Sequence, residues 1–593
     1  MRVADYIVNT IYNRGTDTIF SVSGRGALFL TDAVAKHKEV KNVAVHHEQA
    51  AAFAAVAYAQ YSGKVGACLV STGCASTNAL TGVLSAWQDN IPCIFISGQN
   101  VLNETSNYTG LKIRTYGQQE ADIIPMVSTI TKYSAMLHKG SDIIAEIEKA
   151  YYFALEGRPG PVWLDIPLDL QSANVELPLE QDSDQLIYKS PLIEEDDLLA
   201  VVSKLKSSKR PVVLIGSGVR TANAEDDLKE FIEKTRIPLV YSNSAPDTYG
   251  SKNELSIGSI GSMGASRSGN FTIQNADLVL ILGNRLSAYS TGVDYCDFAR
   301  DAQNVVVDID PIEHKKKSIR IDQFVHADLK NFLKQLNELT FEMNSNDWVR
   351  NCLHWKKLFS ELEPQFTNSD KIDLYEFTKA LSNTLPERCS IVTDSGFIEV
   401  ILPANFSFGN GQRSIHPISQ GAMGFALPGS IGAHYASNEP VYVVVGDGSI
   451  MMNLQELQTI IHNKIPVKII VINNNVYGII RRRQVELFRG RTIGTDPDNG
   501  VSCPDFDKVA TAFGFKYQLI NGKEGLEDAL TKLVNIDGPV ICEVICREDQ
   551  SYIEVGTIRD MNRKMVRRPL EDQMPFLDRR IFFSEMIIEP IKQ

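Results

Sequence analysis

Short apolar, β-branched runs alternate along the chain with longer stretches whose apolar residues recur every three to four positions. The runs at 66–70, 93–97, 162–166, 211–215, 277–282, 304–309, 441–445, 467–472 and 539–545 are almost wholly apolar. That is the pattern of parallel strands covered on both faces. Their alternation with helical stretches predicts an α/β protein built from several doubly wound parallel sheets. The rhythm breaks twice. Residues 171–195 are polar and acidic and read as a linker, and 340–372 read as helical or irregular with a loop at 364–369. The breaks predict three domains, 1–185, 190–345 and 370–593. No short repeat is visible, although the first and third domains could be similar folds.

Composition narrows the class. The 593 residues are 44% hydrophobic and 22% charged, which excludes disordered, collagen-like and coiled-coil chains. The net charge of −13 argues against nucleic acid as a partner. Nine cysteines form no CxxC pair and no Cys/His metal spacing, and settings such as Val540-Ile541-Cys542 suggest reduced, buried thiols. The N-terminus has an early acid and no apolar core of signal-peptide type. No apolar run approaches the roughly 18 residues of a membrane span. The expectation is a cytoplasmic protein without a membrane partner.

The strongest chemical signal is Gly446-Asp447-Gly448-Ser449, directly after the run 441–445. The apolar residues Ile450, Met451, Leu454, Leu457 and Ile461 follow at helical spacing, and the next strand run leads into Asn473-Asn474-Asn475. A Gly-Asp-Gly turn between strand and helix lets backbone approach a phosphate at the helix N-terminus. It also places Asp447 and Asn474 at the C-terminal ends of two strands, where α/β sheets bind ligands. A carboxylate, an amide oxygen and a backbone carbonyl suit Mg²⁺ better than Zn²⁺.

This pairing resembles the motif of thiamine-diphosphate enzymes, in which Gly-Asp-Gly is followed one βα unit later by Asn-Asn. The segment His46-His47-Glu48-Gln49-Ala50-Ala51 and the loop Ser71-Thr72-Gly73-Cys74-Ala75-Ser76-Thr77-Asn78 resemble the acetohydroxyacid (acetolactate) synthase branch of that family. So do Gln119-Glu120-Ala121-Asp122, Gly157-Arg158-Pro159-Gly160-Pro161-Val162-Trp163, Val307-Asp308-Ile309-Asp310-Pro311, Gly421-Ala422-Met423-Gly424 and Cys503-Pro504-Asp505-Phe506. The resemblance implies a pyrimidine-binding first domain, a central domain and a diphosphate-binding third domain. It implies a transferase that decarboxylates pyruvate and passes the two-carbon unit to an acceptor carbonyl.

The same resemblance assigns roles. Glu48 would hydrogen-bond the cofactor's pyrimidine nitrogen, Met423 would wedge between its two rings, and Gln119 would join them in catalysis. Thr72, Asn78, Ser395, Gly396, Gly421, Gly446, Gly448, Ser449 and Gly478 would complete the cofactor site. Asp447, Asn474 and the Val476 carbonyl would hold Mg²⁺. Glu48 and the metal ligands come from different chains in this family, which implies a homodimer or homotetramer. Gly216, Gly218, Met263, Gly264, Gly283, Arg285 and Asp310 lie where the branch cradles FAD, although Met263 replaces a histidine and Phe-Asp-Asp-Arg is missing after Arg285.

The acceptor end departs from the branch. Gly478-Ile479-Ile480-Arg481-Arg482-Arg483-Gln484 stands where Gly-Met-Val-x-Gln-Trp-Gln is usual, so Arg483 replaces a pocket tryptophan. Ser21-Val22-Ser23-Gly24-Arg25-Gly26-Ala27 replaces Gly-Tyr-Pro-Gly-Gly-Ala, Leu168 replaces a lysine, and Gln118 replaces a phenylalanine. The tail at 567–576 is also unlike the usual ending. Planar guanidinium groups pair bidentately with carboxylate or phosphate. Arg25 and Arg483 therefore point to an anionic acceptor such as a nucleotide-linked keto-sugar. The alternatives are an ordinary acetolactate synthase with a 2-ketoacid acceptor, or a 2-ketoacid decarboxylase or pyruvate oxidase.

Overall fold

The computed structural model describes residues 1–176, 188–559 and 565–591. The core of the expected linker, 177–187, lies outside the described residues. Three six-stranded sheets carry the fold, every neighbouring pair within them parallel. The first contains β1 (Thr18–Ser21), β2 (Lys41–Ala44), β3 (Gly66–Val70), β4 (Cys93–Gln99), β5 (Tyr133–Met136) and β6 (Pro161–Pro167). The second contains β7 (Pro211–Ile215), β8 (Leu239–Tyr241), β9 (Ser256–Ser259), β10 (Leu278–Leu282), β11 (Gln303–Asp308) and β12 (Gln323–His326). The third contains β13 (Arg388–Thr393), β14 (Gly411–Ile415), β15 (Val441–Gly446), β16 (Lys468–Asn473), β17 (Lys516–Asn521) and β18 (Val540–Ile545).

The strand orders locate three crevices. The first sheet runs β2-β1-β3-β4-β6-β5 and the third runs β14-β13-β15-β16-β18-β17, the same order strand for strand. The second runs β12-β11-β10-β7-β8-β9. The second order reverses direction once, between β7 and β10; the first and third reverse between β1 and β3 and between β13 and β15, and again at the far edge, where β6 precedes β5 and β18 precedes β17. Loops leaving adjacent strands at such a point diverge and open a crevice for a ligand.

The first and third domains are joined by unusually small side chains. In the helix Glu48–Ser62, every residue from Ala50 to Ala59 is buried. One side faces its own sheet and another faces the helix Ala426–Ala436 of the third domain. Gly432 of that helix has no room for a Cβ, which would overlap the Ala54 carbonyl oxygen. Gly66 and Gly82 are pressed against Ala55 and Ala52 in the same way. Close backbone approach is what the run of alanines and glycines permits.

Two expectations need correction. The helical spacing after Gly448 does not form one continuous helix. A short 3₁₀ turn, Ile450–Met452, comes first and the α-helix begins only at Glu456. Asn453 interrupts it because its side chain donates to the Gly424 carbonyl (2.8 Å) and to Gln49 Oε1 (3.0 Å), outside the helix. The cysteines are all free, but Cys74 and Cys296 are exposed rather than buried. No helix among the described residues is long and apolar enough to cross a membrane.

Candidate active site

At the switch point of the third sheet, the turns after β13 and β15 are tied together. Asp394, fully buried, accepts from Ser395 N (2.7 Å), Gly424 N (3.1 Å), Ala426 N (3.0 Å) and Ser449 Oγ (2.7 Å). One carboxylate thus organises three of the expected cofactor segments, 395–396, 421–426 and 446–449. Asp394 itself was not among the residues singled out from the sequence. The only signal was its position at the end of an apolar run, where an acid commonly starts a turn.

Asp447 follows β15, beside Asn474 and Val476 after the adjacent strand β16. Its Oδ1 accepts from Gly448 N (2.8 Å) and its Oδ2 from Asn475 N (2.6 Å). Burial pushes the carboxyl up to about 6, against the pull of the N–H groups of Asn475, Gly448 and Asn474. A divalent cation would restore the charged form. Val476 N donates to Asn474 Oδ1 at 3.3 Å, which holds the two residues together beside Asp447. Among the described residues no group of three or more His, Cys, Asp or Glu side chains could hold a metal. The oxygen set of one carboxylate, one amide and one carbonyl fits Mg²⁺ shared with phosphate and water. Gly448 leaves the turn no slack, since a Cβ there would overlap the Tyr477 ring.

A single cavity of about 930 Å³ extends from this turn into the central domain. Its walls include Ser395, Gly396, Gly421, Met423, Gly446, Asp447, Gly448, Ser449, Asn474, Val476 and Gly478, all expected cofactor or metal residues. Gly421 adopts φ +58° and Gly424 φ +83°, left-handed conformations that let the loop turn Met423 into this space.

The first-domain residues form a separate cluster outside that cavity lining. Glu48 accepts from Asn78 Nδ2 (2.9 Å), and Thr72 Oγ1 donates to Gln99 Oε1 (2.6 Å). Gln119, exposed and at φ +58°, packs its backbone against Gly73. Arg25, also exposed, donates to Gln118 Oε1 at 2.5 Å. These loops gather near the β1/β3 switch point. The neighbours of Glu48 face their own third domain, with His46 N donating to Glu456 Oε1 (3.1 Å). Within one chain, then, Glu48, Thr72, Asn78 and Gln119 do not meet Asp447 and Asn474 in the cavity.

The central limb of the cavity lies at the β7/β10 switch point. Gly218, Met263, Gly283 and Arg285 line it, while Gly216, Gly264 and Asp310 do not. The N–H groups of Gly216, Gly218 and Gly283 are spent on Leu282 O (3.1 Å), Gly283 O (3.0 Å) and Val307 O (3.1 Å). Those glycines join the two loops rather than offer donors. Gly264 packs on Val400 and donates to Ile553 O (2.7 Å), and Asp310 pairs with Arg158 (3.3 Å). Five buried acceptors in the cavity wall have no partner: Gln60 Oε1, Gln88 Oε1, Asp89 Oδ2, Asn243 Oδ1 and Gln420 Oε1. A buried acceptor without a donor is costly. These oxygens are closed off from the cavity space, so of the residues expected at a flavin only Gly218, Met263, Gly283 and Arg285 line it.

The arginine triplet sits on the helix Gly478–Leu487. Arg481 pairs with Asp496 (2.9 Å), Arg482 with Glu486 (2.9 Å) and Glu554, and Arg483 with Glu486 (3.1 Å) and Glu554 (3.5 Å). Only Arg483 keeps nearly half of its side chain, 47%, exposed.

Three crevices, a Gly-Asp-Gly turn with an oxygen ligand set, and a methionine loop beside it define a cofactor enzyme of thiamine-diphosphate type. Family models agree, matching residues 1–126 as the N-terminal binding domain of thiamine pyrophosphate enzymes, 198–336 as their central domain and 394–544 as their C-terminal binding domain. The chain belongs to the thiamine pyrophosphate enzyme family, in its acetolactate synthase-like branch. It is 31% identical to the acetolactate synthase large subunit of Lactococcus lactis over 92% of this chain and 93% of the relative. The large subunit of Escherichia coli acetolactate synthase isozyme 2 is 30% identical over 92% and 95%. The Haemophilus influenzae large subunit is 29% identical over 96% and 99%.

Proposed function

We infer that this enzyme is a thiamine-diphosphate- and Mg²⁺-dependent carboligase that decarboxylates pyruvate and joins the two-carbon unit to an acceptor carbonyl. The observation that carries this reading is the convergence of Asp447, Asn474, Val476 and Met423 on one cavity at a sheet switch point. When bound, the cofactor supplies the nucleophilic carbon and the electron sink for loss of CO₂. The protein's part is placement. Asp447, Asn474 and the Val476 carbonyl hold the metal, while Gly446, Gly448, Ser449, Ser395, Gly396 and Gly478 receive the diphosphate. Gly421 and Met423 support the rings. Glu48 holds the proton at the pyrimidine nitrogen, with Thr72, Asn78 and Gln119 around it.

Because those first-domain residues lie outside the cavity of their own chain, a second copy is needed to bring them to it. A homodimer or homotetramer is therefore part of the reading. FAD in the central limb is supported by Gly218, Met263, Gly283 and Arg285, which line it. A cytoplasmic location is supported by nine cysteines, none in a disulfide.

For the acceptor, the half-exposed Arg483 and the exposed Arg25 support an anionic carbonyl compound, such as a nucleotide-linked keto-sugar. Ordinary acetolactate synthesis with a 2-ketoacid acceptor is favoured by a specific observation, the neutralisation of Arg483 by Glu486 and Glu554. Product mass spectrometry decides, with pyruvate offered alone and beside keto-sugar nucleotides and 2-ketoacids. The anionic-acceptor reading expects the mixed product to dominate and to fall roughly tenfold in Arg483→Ala, the scale of one charge-assisted contact. Rapid acetolactate formation from pyruvate alone, unchanged in that variant, overturns it. Aldehyde or acetyl phosphate as the product would overturn carboligation itself.

A further inference from the structure

Glu399 is an acid in the cavity wall that none of the roles above employs. It lies in the first turn of the helix Phe397–Asn405, three residues beyond Gly396. Its carboxyl abuts the Gly421 loop, with Oε2 lying 3.0 Å from where a Cβ on Gly421 would stand. The side chain lines the cavity beside Asp89, Ser395, Gly421 and Met423, and its partial exposure opens onto that space.

The groups around it offer no compensation. Asp394 lies on its own side, where all the recorded bonds of that carboxylate come from other donors. From the first domain comes Asp89, buried, with Oδ1 accepting from Ser419 N (2.9 Å) and Oδ2 unpartnered. Arg285 of the central domain acts on Asp89, and its own Nη1 donates to Gln88 O at 3.2 Å. Tyr289 is committed elsewhere, donating to Met263 O (3.1 Å) and accepting from Asn243 Nδ2 (3.0 Å). The loop from Ser419 to Met423 brings no charge. Among the described residues no donor or cation is recorded on the Glu399 carboxyl. Burial, then Asp394 and Asp89, push it up to about 8, although a helix N-terminus favours the charged form. At neutral pH it carries its proton, and a protonated carboxyl is a donor.

We propose that Glu399 is a specificity-determining residue, donating a hydrogen bond into the cavity to the carbonyl or carboxylate oxygen of a 2-ketoacid substrate. The proposal rests on the reading that this cavity binds 2-ketoacids. It also explains how an anion enters a cavity whose wall already holds Asp89, with Asp394 buried behind it, since a neutral Glu399 adds no further repulsion. No covalent step is involved.

The test is calorimetric binding of oxamate, an unreactive isostere of pyruvate, to the enzyme loaded with thiamine diphosphate and Mg²⁺. The wild type should lose about tenfold in affinity between about pH 6.5 and about pH 9, as the donor becomes a carboxylate. Glu399→Gln keeps an uncharged donor and should bind at lower pH like wild type, with the pH dependence gone. Glu399→Leu should bind roughly tenfold more weakly at lower pH, with thiamine diphosphate affinity unchanged in both variants. Full wild-type pH dependence in Glu399→Gln, or wild-type oxamate affinity in Glu399→Leu, overturns the proposal. Should Glu399→Leu fail to fold, the Gln comparison decides alone. A wild type that makes no ligation product, yet whose oxamate binding follows Glu399, would fail the carboligase reading and leave this one standing.

Discussion

Asp394 shows what one buried side chain can organise. Removing its four accepted hydrogen bonds would leave buried donors unpaired, so Asp394→Ala should destabilise the fold by about 3 kcal/mol or more. Thermal unfolding would show this alongside weakened thiamine diphosphate binding. Asp447→Ala strands only the donors of Gly448 and Asn475 and should lower the melting temperature less, while lowering Mg²⁺-dependent cofactor affinity at least about tenfold by equilibrium dialysis. Asp165 gives a pH signature away from the site. It is fully buried, its acceptors are met by Ser97 Oγ (2.6 Å) and Gln99 Nε2 (3.1 Å), and burial pushes its carboxyl up to about 7. Its folded pKa lies above the unfolded value near 3.9, so the fold holds a proton that the unfolded chain releases. The stability this confers is complete below about pH 4 and is lost as pH rises through 7. Asp165→Asn should therefore stabilise the protein at pH 8 by on the order of 1–2 kcal/mol and little at pH 4, as read by denaturant titration. Asp447 and Asn474 were legible because their spacing is itself the chemistry. Asp394 was not, because its partners Gly424 and Ser449 lie 30 and 55 residues away. The same distance hid Glu554 from the arginines it neutralises.

Elements divide by how completely they are buried. Nine strands expected from apolar runs are all present, and they include the centres of the sheets. Of those that escaped, β2, β5, β12 and β17 are partly exposed edge strands, whose mixed composition carries little periodic signal. The central strand β13 escaped because Arg388, Cys389 and Ser390 open it. The 3₁₀ turn after Gly448 was hidden for another reason. Apolar spacing reports which face is buried, and Asn453 turns the backbone by bonding outside its own helix. The helix Ala426–Ala436 carries a direct test of the interdomain packing. Gly432→Ala forces a methyl group into the Ala54 backbone and should cost about 2 kcal/mol or more. The melting temperature would report it, with Gly525→Ala as a surface control, since Gly525 at φ +69° has open space around it and pays only backbone strain.

The whole molecule repeats one architecture, with the first and third sheets sharing a strand order and the central sheet set between them in sequence. The overall charge of −13 said nothing of this. It described a surface, and the arginines against that background prove to be ion-paired. Glu48→Gln and Asp447→Ala proteins should each be inactive alone. Mixed after dissociation, they should recover about a quarter of wild-type turnover, because half of randomly formed pairs combine the two and each such pair has one intact site. Recovery absent under exchange conditions would place each site within a single chain. Finally, the cofactor end and the central limb belong to one continuous cavity, and the loop from Ser419 to Met423 lies in its wall. Two occupants of such a space share a free energy. Whatever the first gains by ordering that loop, the second no longer has to supply, so each should tighten the other's hold by one and the same factor. Order-of-addition calorimetry reads that factor directly. A value of one would mean that the two ends share a volume without sharing a conformation.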